Sequence, residues 1–270
     1  MDQFHFRIGT TSYIVEADLI ANAHFLADKV ADMQLVLFDL PDGPSNIPTP
    51  ETVAELAEIS HSTGLTYSVH LIDDLLTADV THPGLQRSKR LIELFAPLQP
   101  SAYVLHLDGR DLRKSAFLED AVQVWQNERH LALEQLGQLV GDRKLLSVEN
   151  LEGYPPELVT PVVEQARVSR CVDVGHLFLD GLDPLPHLRS ALSRTRMVHL
   201  HGLKDGQDHQ SLAHMPTEQL DSVIQLLLDS NYDGLLTLEI FGEADFTSSL
   251  EALMKSIKRV CSRNRCDNYS

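Results

Sequence analysis

The sequence predicts an α/β protein built as a single (β/α)8 barrel. Three observations carry this prediction: eight short apolar runs recur along the chain, helical patterns separate them, and no shift in composition divides the chain. With 270 residues, 43% of them hydrophobic, the chain suits one large domain better than two. We therefore expect one domain over residues 1–270, with a polar tail from about residue 262.

The eight predicted strands are short and almost continuously apolar, which is typical of strands covered on both faces. They are FRIG from Phe6, LVLFDL from Leu35, TYSVHL from Thr66, AYVLHL from Ala102, LLSVENL from Leu145, RCVDVGH from Arg170, RMVHLHG from Arg196 and LLTLEIF from Leu235. A doubly wound open sheet is the alternative arrangement. It would usually show a glycine-rich phosphate turn after the first strand, and GTTSY is not one.

The intervals between these runs carry helical patterns. Residues 17–31 place apolar side chains at i, i+3 and i+4. TPETVAELAEIS from Thr49 has a capping threonine, a proline at the first helical position and an early glutamate. The other predicted helices span residues 86–96, 116–140, 155–167, 184–194, 217–229 and 246–260. Strands and helices thus alternate eight times, as a barrel requires.

Charge and cysteine content exclude several classes of function. The formal net charge is -17 and the pI about 5.0, which argues against a protein that grips nucleic acid or anionic membranes. Cys171, Cys261 and Cys266 match no disulfide framework, and we expect Cys171 to be a small buried side chain. No signal-peptide pattern and no segment of ~20 apolar residues is present, so we expect a cytoplasmic protein.

In a barrel the chemistry lies where the strands end, and there the sequence places histidines and carboxylates on six consecutive predicted strands. These are His70, His106, Glu149 with Asn150, Asp173 with His176, His199 with His201, and Glu239, while Asp205, Asp208 and His209 follow the seventh strand. Any one of them alone is more simply a satisfied polar residue or a helix cap. Glu239 interrupts an apolar strand, however, and a buried charge needs a cationic partner. A metal ion is the economical partner for the whole set.

The mixture of histidine nitrogen and carboxylate oxygen narrows the kind of metal. Such ligands suit Zn best, and also Mn, Fe or Co, far better than Mg or Ca. The set also exceeds what one tetrahedral ion needs. We therefore predict two or three divalent transition metal ions, with one carboxylate bridging.

These residues resemble those of the xylose isomerase-like barrel superfamily, which includes sugar isomerases, sugar epimerases and the endonuclease IV type of phosphodiesterase. The epimerase branch implies Glu149, Asp173, His199 and Glu239 as ligands of one ion. The endonuclease branch implies further ligands at His70, His106, His176 and His209, together with an aspartate on the loop after the seventh strand. Its pattern separates that aspartate from the histidine by one residue. Here Asp208 directly precedes His209 and is preferred, with Asp205 as the alternative.

Along most of its length the chain is similar to a narrower family, the cobamide-remodelling phosphodiesterases. The motifs are IGTTSYIV, LVLFDLPDGPSNIP, TYSVHL, SVENLE, DVGHLFLDG, VHLHGLKDGQDHQSL and LTLEIF. The resemblance implies hydrolysis of the phosphodiester in the nucleotide loop of cobamides (vitamin B12-like corrinoids) by a metal-activated water. Glu149, as the bridging ligand, and His201, toward the substrate or leaving group, are the expected catalytic residues. Tyr13, Asn150, Tyr154 and His201 are expected to contact this small-molecule substrate.

Three other functions stay open on the sequence. A sugar isomerase or epimerase would need only Glu149, Asp173, His199 and Glu239, and His70, His106 and His209 would then contact substrate. An apurinic-site endonuclease is disfavoured by the acidic charge. A corrinoid-binding protein without turnover leaves the full ligand set unexplained. The number of bound ions distinguishes the cobamide phosphodiesterase from the sugar epimerase, since an epimerase needs one ion and a multi-metal phosphodiesterase needs two or three.

Overall fold

The computed structural model describes residues 4–40 and 42–267. The barrel strands are β1 (Arg7–Thr11), β2 (Asp32–Val36), β3 (Thr66–His70), β4 (Tyr103–His106), β5 (Leu146–Glu149), β6 (Ser169–Asp173), β7 (Thr195–Leu200) and β10 (Leu235–Leu238). All eight are parallel and close in this order, with β10 returning to β1. An antiparallel hairpin of β8 (Gly202–Lys204) and β9 (Gln207–Gln210) follows β7. The predicted barrel is confirmed.

Helices lie outside the barrel and connect its strands. They are α1 (Leu19–Leu26), α2 (Pro50–Thr63), α3 (Pro83–Phe95), α4 (Glu119–Gly137), α5 (Thr160–Ala166), α6 (Val174–Leu179), α7 (Pro184–Ala191), α8 (Thr217–Asp229) and α9 (Glu243–Asp267). Thr49 caps α2 through its side chain, and Pro50 begins that helix, as predicted. Among the described residues, no helix is both long and apolar enough to cross a membrane.

The second strand lies earlier than its apolar run suggested, beginning at Asp32 instead of Leu35 and ending at Val36. The run was misleading because polar residues of this strand are buried and paired inside the barrel wall. The carboxylate of Asp32 accepts hydrogen bonds from Ser68 Oγ at 2.6 Å and Thr66 Oγ1 at 2.5 Å. The apolar residues after Val36 therefore belong to the loop above the barrel.

The last helix is longer than the predicted span of residues 246–260, because α9 runs from Glu243 through Asp267, and the polar tail expected from about residue 262 begins within this helix. Arg259 and Arg263 on this helix contact the buried carboxylate of Asp221 on α8, at 2.6 and 3.1 Å. A buried carboxylate is costly without a cation. These ion pairs therefore favour helix in a segment whose composition is that of a tail.

The interior of the barrel has an apolar floor beneath its polar end. Side chains two residues apart on a strand share a face, so Met197 points into the same space as His199. A small buried cluster, separate from the main core under the helices, consists of Ala102, Val104, Cys171, Met197 and Leu235. Cys171 is a buried free thiol, as expected. The cluster keeps water from approaching the polar layer from below.

Candidate metal centre

Six neighbouring strands bring potential ligands to the carboxyl end of the barrel. His70, His106, Glu149 and Asp173 are the last residues of β3 to β6, His199 is next to last in β7, and Glu239 directly follows β10. The parallel register places His106 opposite Glu149 and Asp173 opposite His199. Because these positions lie at one depth, their side chains converge.

The first group of ligands, here called the carboxylate centre, comprises Glu149, Asp173, His199 and Glu239. All four are buried, and one ligand atom of each lies within 4.8 Å of the others. His199 Nδ1 is 2.8 Å from Glu239 Oε2, 3.4 Å from Glu149 Oε1 and 3.7 Å from Asp173 Oδ2. Three carboxylates surround one imidazole nitrogen in a space closed to solvent.

The second group, the upper histidine pair, shares Glu149 with the first. His70 Nε2 lies 3.2 Å and His106 Nε2 3.4 Å from Glu149 Oε2. The other oxygen of this carboxylate, Oε1, faces His199. The two oxygens of Glu149 thus face two separate sets of nitrogens, which is the geometry of a bridging ligand.

The third group, the hairpin site, comprises His176, Asp208 and His209. It lies where the β8–β9 hairpin meets the first turn of α6. Asp208 Oδ2 lies 3.9 Å from His176 Nε2 and 3.8 Å from His209 Nε2. Asp205 is exposed in the turn of the hairpin. His209 has a φ of 50°, which interrupts the alternation of the strand. Adjacent residues 208 and 209 can therefore face the same site without the spacer expected from the nuclease pattern.

Four histidines share one orientation that prepares them to bind metal. The Nδ1 atoms of His70, His106, His176 and His209 lie 3.1, 3.1, 3.1 and 3.2 Å from the oxygens of Leu71, Asp74, Asn150 and Glu239, respectively. Since each of these oxygens is an acceptor, Nδ1 carries the proton and the lone pair is on Nε2. Such a partner fixes the tautomer and the ring angle of a metal-ligating histidine.

His201 differs from these four in its contacts, and its expected role toward the substrate stays a prediction. Its side chain is fully buried. The backbone N–H of His209 donates to His201 Nδ1 at 3.0 Å, so the proton of the neutral ring lies on Nε2, 3.2 Å from Asp173 Oδ1. Gly175 lies against this ring, where a Cβ atom would come within 2.1 Å of it. His201 thus lies against Asp173, and it also belongs with His176 and His209 to a group of possible metal ligands.

The other three residues expected to contact substrate are Asn150, Tyr154 and Tyr13, and they lie in different parts of the site. Asn150 is buried, and its amide exchanges two hydrogen bonds with the backbone of Asp173, at 2.9 and 3.0 Å. Tyr154 is buried, and its hydroxyl donates to Leu107 O at 3.0 Å. Tyr13 stands at the rim of the barrel and lines a wide cavity. Asn150 and Tyr154 thus hold the framework of the site, whereas Tyr13 borders open space.

The residues present fit divalent transition metal ions. Asp173 Oδ2, His199 Nδ1 and Glu239 Oε2 are buried, and, although His199 Nδ1 lies 2.8 Å from Glu239 Oε2, none of the three makes a hydrogen bond of acceptable geometry among the described residues. Buried polar atoms are rarely left unpaired, and unpaired carboxylates cost several kcal/mol. A cation among these atoms would satisfy all three at once. The mixed nitrogen and oxygen ligands suit zinc, manganese, iron or cobalt.

Sequence reasoning missed two residues that support these ligands. Asp74, in the loop after β3, is the carboxylate partner of His106, and Gln34 on β2 contacts His199. Asp74 is the second aspartate of the stretch IDD in the long loop after β3. The sequence of that loop does not indicate that this side chain faces His106. Gln34 left a signal, because it is a polar residue between the apolar Met33 and Leu35.

The charges of the site shift several pKa values. Burial alone would lower the pKa of His106, but hydrogen bonds to Asp74 and Glu149 outweigh it and raise this pKa to about 10. Burial would also lower the pKa of His176, but the charges of Asp173 and Glu149 outweigh it and raise this pKa to about 9. Burial would raise the pKa of Glu149, yet the surrounding histidines hold it well below its usual range.

Metal uptake by the metal-free protein at pH 7.5 is therefore expected to release protons, roughly two from His106 and His176 together, because a histidine must be neutral to bind metal. Apparent affinity should rise with pH toward 9–10. In the metal-free state the same two groups stabilise the fold fully below about pH 6.5, and this stability is lost as pH rises through 9 and 10. Calorimetric titration in buffers of different ionisation enthalpy measures the release. Identical heats in all buffers would contradict it.

Gln34 is expected to set the tautomer of His199. Its Nε2 lies 3.0 Å from His199 Nε2, and its Oε1 is buried with no hydrogen-bond partner among the described residues. Rotation of the amide lets Oε1 accept the His199 Nε2–H, which leaves the Nδ1 lone pair for metal. Replacement Gln34→Leu should weaken metal binding by about 10- to 100-fold, as measured by chelator competition. Gln34→Glu, which keeps an acceptor, should bind normally; equal affinities for Gln34→Leu and wild type would refute the role.

Parallel strands closed into a barrel, with buried carboxylates and histidines at their carboxyl ends, define a TIM barrel with a metal-ligand site. More particularly, the chain belongs to the xylose isomerase-like TIM barrel family, whose model matches residues 28–260. No curated protein matches the chain in sequence.

Solved structures share the fold at low identity. A D-tagatose 3-epimerase-like protein is 16% identical, with a TM-score of 0.73 over 96% of this chain and 99% of that one. Endonuclease IV from Thermus thermophilus is 18% identical, with a TM-score of 0.67 over 94% and 99%. An L-ribulose 3-epimerase is 12% identical, with a TM-score of 0.66 over 98% of both chains. At these identities the likeness is one of fold, and it spans epimerases and a nuclease alike.

Proposed function

We propose that the protein is a metal-dependent phosphodiesterase that hydrolyses the nucleotide-loop phosphodiester of cobamides. The observation that carries this proposal is the position of Glu149, whose two carboxylate oxygens face separate groups of histidines. With one ion, the upper histidine pair and the hairpin site would not be used as metal ligands. Two or three ions would use all of them.

The ligand groups suit in-line attack of water on phosphorus. Bound divalent ions would supply Lewis acidity toward the phosphate oxygens and lower the pKa of water. The carboxylate centre and the upper histidine pair share Glu149, so a phosphate placed above this residue would lie next to both groups. The oxygen of water forms a bond to phosphorus and gives up a proton, the P–O bond to one esterified hydroxyl breaks, and the leaving oxygen takes up a proton. His201 and Asn150 hold Asp173 in place throughout.

The space beside the hairpin site suits a large substrate with a flat apolar part. A cavity of about 890 Å³ opens there, within the size range of small-molecule sites. Tyr13 lies between Phe38 and Phe241, with ring centroids 6.4 and 6.2 Å away. The Phe241 ring is 5.7 Å from that of His209. A planar heteroaromatic base, such as the lower base of a cobamide, could stack here while its phosphate meets the metal ligands.

Charge and ligand number weigh against the other functions. A net charge of -17 opposes binding of DNA, which selects basic surfaces. Sugar epimerisation is the second candidate, favoured by the carboxylate centre, since those four residues suffice for one ion. In that reading His70 and His106, whose Nε2 atoms are preset to bind metal, would only contact substrate.

Incubation of the metal-loaded protein with a cobamide, followed by mass spectrometry, tests the proposal. We expect cleavage of the phosphodiester, incorporation of one oxygen from ¹⁸O-labelled water, and two or three ions per chain by elemental analysis. Metal-stripped protein is the control. Unchanged cobamide, with an epimerised ketose in a parallel assay and one ion per chain, would replace the proposal with the epimerase.

A further inference from the structure

A second cavity lies at the opposite end of the barrel from the metal centre. Its walls include the first residues of four barrel strands: Arg7 of β1, Ser169 of β6, Thr195 of β7 and Leu235 of β10. Its volume is about 800 Å³, which is within the range of ligand pockets. Since barrel chemistry occurs at the carboxyl ends of the strands, this cavity is separate from the proposed reaction.

The cavity, here called the basic pocket, has a charge opposite to that of the whole chain. Its basic residues are Arg7, Lys144, Arg167, Arg194 and Arg196. Only two of its lining residues are acidic, Glu164 and Asp233. The chain has 22 lysines and arginines against 39 acidic residues, so five cations around one cavity are a marked concentration of positive charge.

Most of these cations have no carboxylate partner. Arg194 lies 3.9 Å from Glu164, a weak pair because both side chains are about half exposed. Among the residues that the structure describes, no carboxylate lies within the 4.0 Å of an ion pair from the other four. Their charge is available to a ligand.

Neutral groups hold two of the guanidinium groups in place at one wall of the pocket. Arg7 donates to Thr66 Oγ1 at 3.2 Å and to Ser101 Oγ at 3.3 Å. Arg196 Nε donates to the backbone carbonyl of Ser101. Burial lowers the pKa of Arg196, the charge of Asp142 opposes this effect, and the charge of Arg7 adds to it. The two guanidinium groups thus lie near each other with no carboxylate in direct contact, although Asp32 and Asp142 act on them from a greater distance, and a bound anion would stabilise this arrangement.

We propose that the basic pocket binds a small organic ligand carrying two phosphate groups. Guanidinium groups bind phosphate oxygens in pairs, and Arg7 and Arg196 are already oriented by their hydrogen bonds. Lys144 and Arg167, both exposed at the rim, would meet a second phosphate. The acidic remainder of the surface repels long polyanions, so a compact ligand that fits inside the cavity is favoured over nucleic acid.

Calorimetric titration of the metal-loaded protein with fructose 1,6-bisphosphate, with fructose as the neutral control, tests this proposal. We expect saturable one-to-one binding of the bisphosphate and none of fructose. The double variant Arg7→Gln with Arg196→Gln should weaken binding by at least about 150-fold, since it removes two charged hydrogen-bond donors. Arg189→Gln, an exposed arginine on α7, should bind as the wild type does.

Two further variants keep the test decisive. Lys144→Gln with Arg167→Gln alters two exposed side chains that make no hydrogen bond or ion pair within the described part of the chain, so folding is unaffected, and binding should weaken several-fold. His209→Ala reports on binding at the metal centre instead and should leave bisphosphate affinity unchanged. Absence of binding, or binding lost with His209→Ala but kept in the arginine variants, would overturn the proposal. Neither result bears on phosphodiester cleavage.

Discussion

Replacement of Glu149 by glutamine is expected to abolish turnover, with kcat falling by roughly 10³-fold or more. Glu149 is the residue whose oxygens face both the carboxylate centre and the upper histidine pair, at 3.2–3.4 Å. Glutamine keeps the size but loses the charge, and its amide nitrogen cannot bind a cation. The loss of several kcal/mol of charge stabilisation corresponds to a rate decrease of this size.

The control and the metal content make this prediction specific. Glu58→Gln removes the same charge from an exposed position on α2 and should leave both kcat and metal content unchanged. Glu149→Gln should also retain fewer ions per chain, measured by elemental analysis after gel filtration. Near-normal kcat in Glu149→Gln would exclude a bridging role and, with it, the multi-metal interpretation.

The fold was predictable because strand and helix periodicities agreed along the chain. β2 was misplaced for a physical reason: Asp32 and Gln34 are buried in it, and a search for apolar runs passes over polar residues that pair inside a barrel. The end of α9 was misplaced because Asp221, distant in sequence, supplies the ion partner for its last turns. Both errors arise from tertiary contacts that local pattern does not contain.

The candidate ligands could be predicted from the sequence, because the parallel strands of one barrel all end at the same face. The roles of individual histidines did not follow. His201 and His209 are both histidines near the end of β7, yet the backbone N–H of His209 makes His201 a donor toward Asp173, whereas the carbonyl of Glu239 leaves His209 with a free Nε2 lone pair. Tautomers depend on which backbone group faces each ring, and sequence carries no record of that.

Removal of the upper histidine pair should separate the two candidate enzymes. In His70→Ala with His106→Ala, the carboxylate centre keeps all four ligands, so one ion should still bind there. The ion held through Glu149 Oε2 should be lost, because that oxygen then has no neighbouring imidazole among the described residues. We expect cobamide cleavage to fall by about 10²- to 10³-fold, the equivalent of several kcal/mol of lost charge stabilisation.

The matched control is His24→Ala with His61→Ala, which removes two exposed helical histidines and should change neither metal content nor rate. Asp74→Asn provides a graded test, because it removes only the partner of His106 Nδ1 and should weaken binding of that one ion by ~10- to 100-fold. Elemental analysis and single-turnover rates measure both effects. If the His70 and His106 double variant kept its full metal content and cleaved cobamide at the wild-type rate, these histidines would not be metal ligands. If it kept an epimerase activity shared with the wild type, the carboxylate centre alone would be the catalytic site.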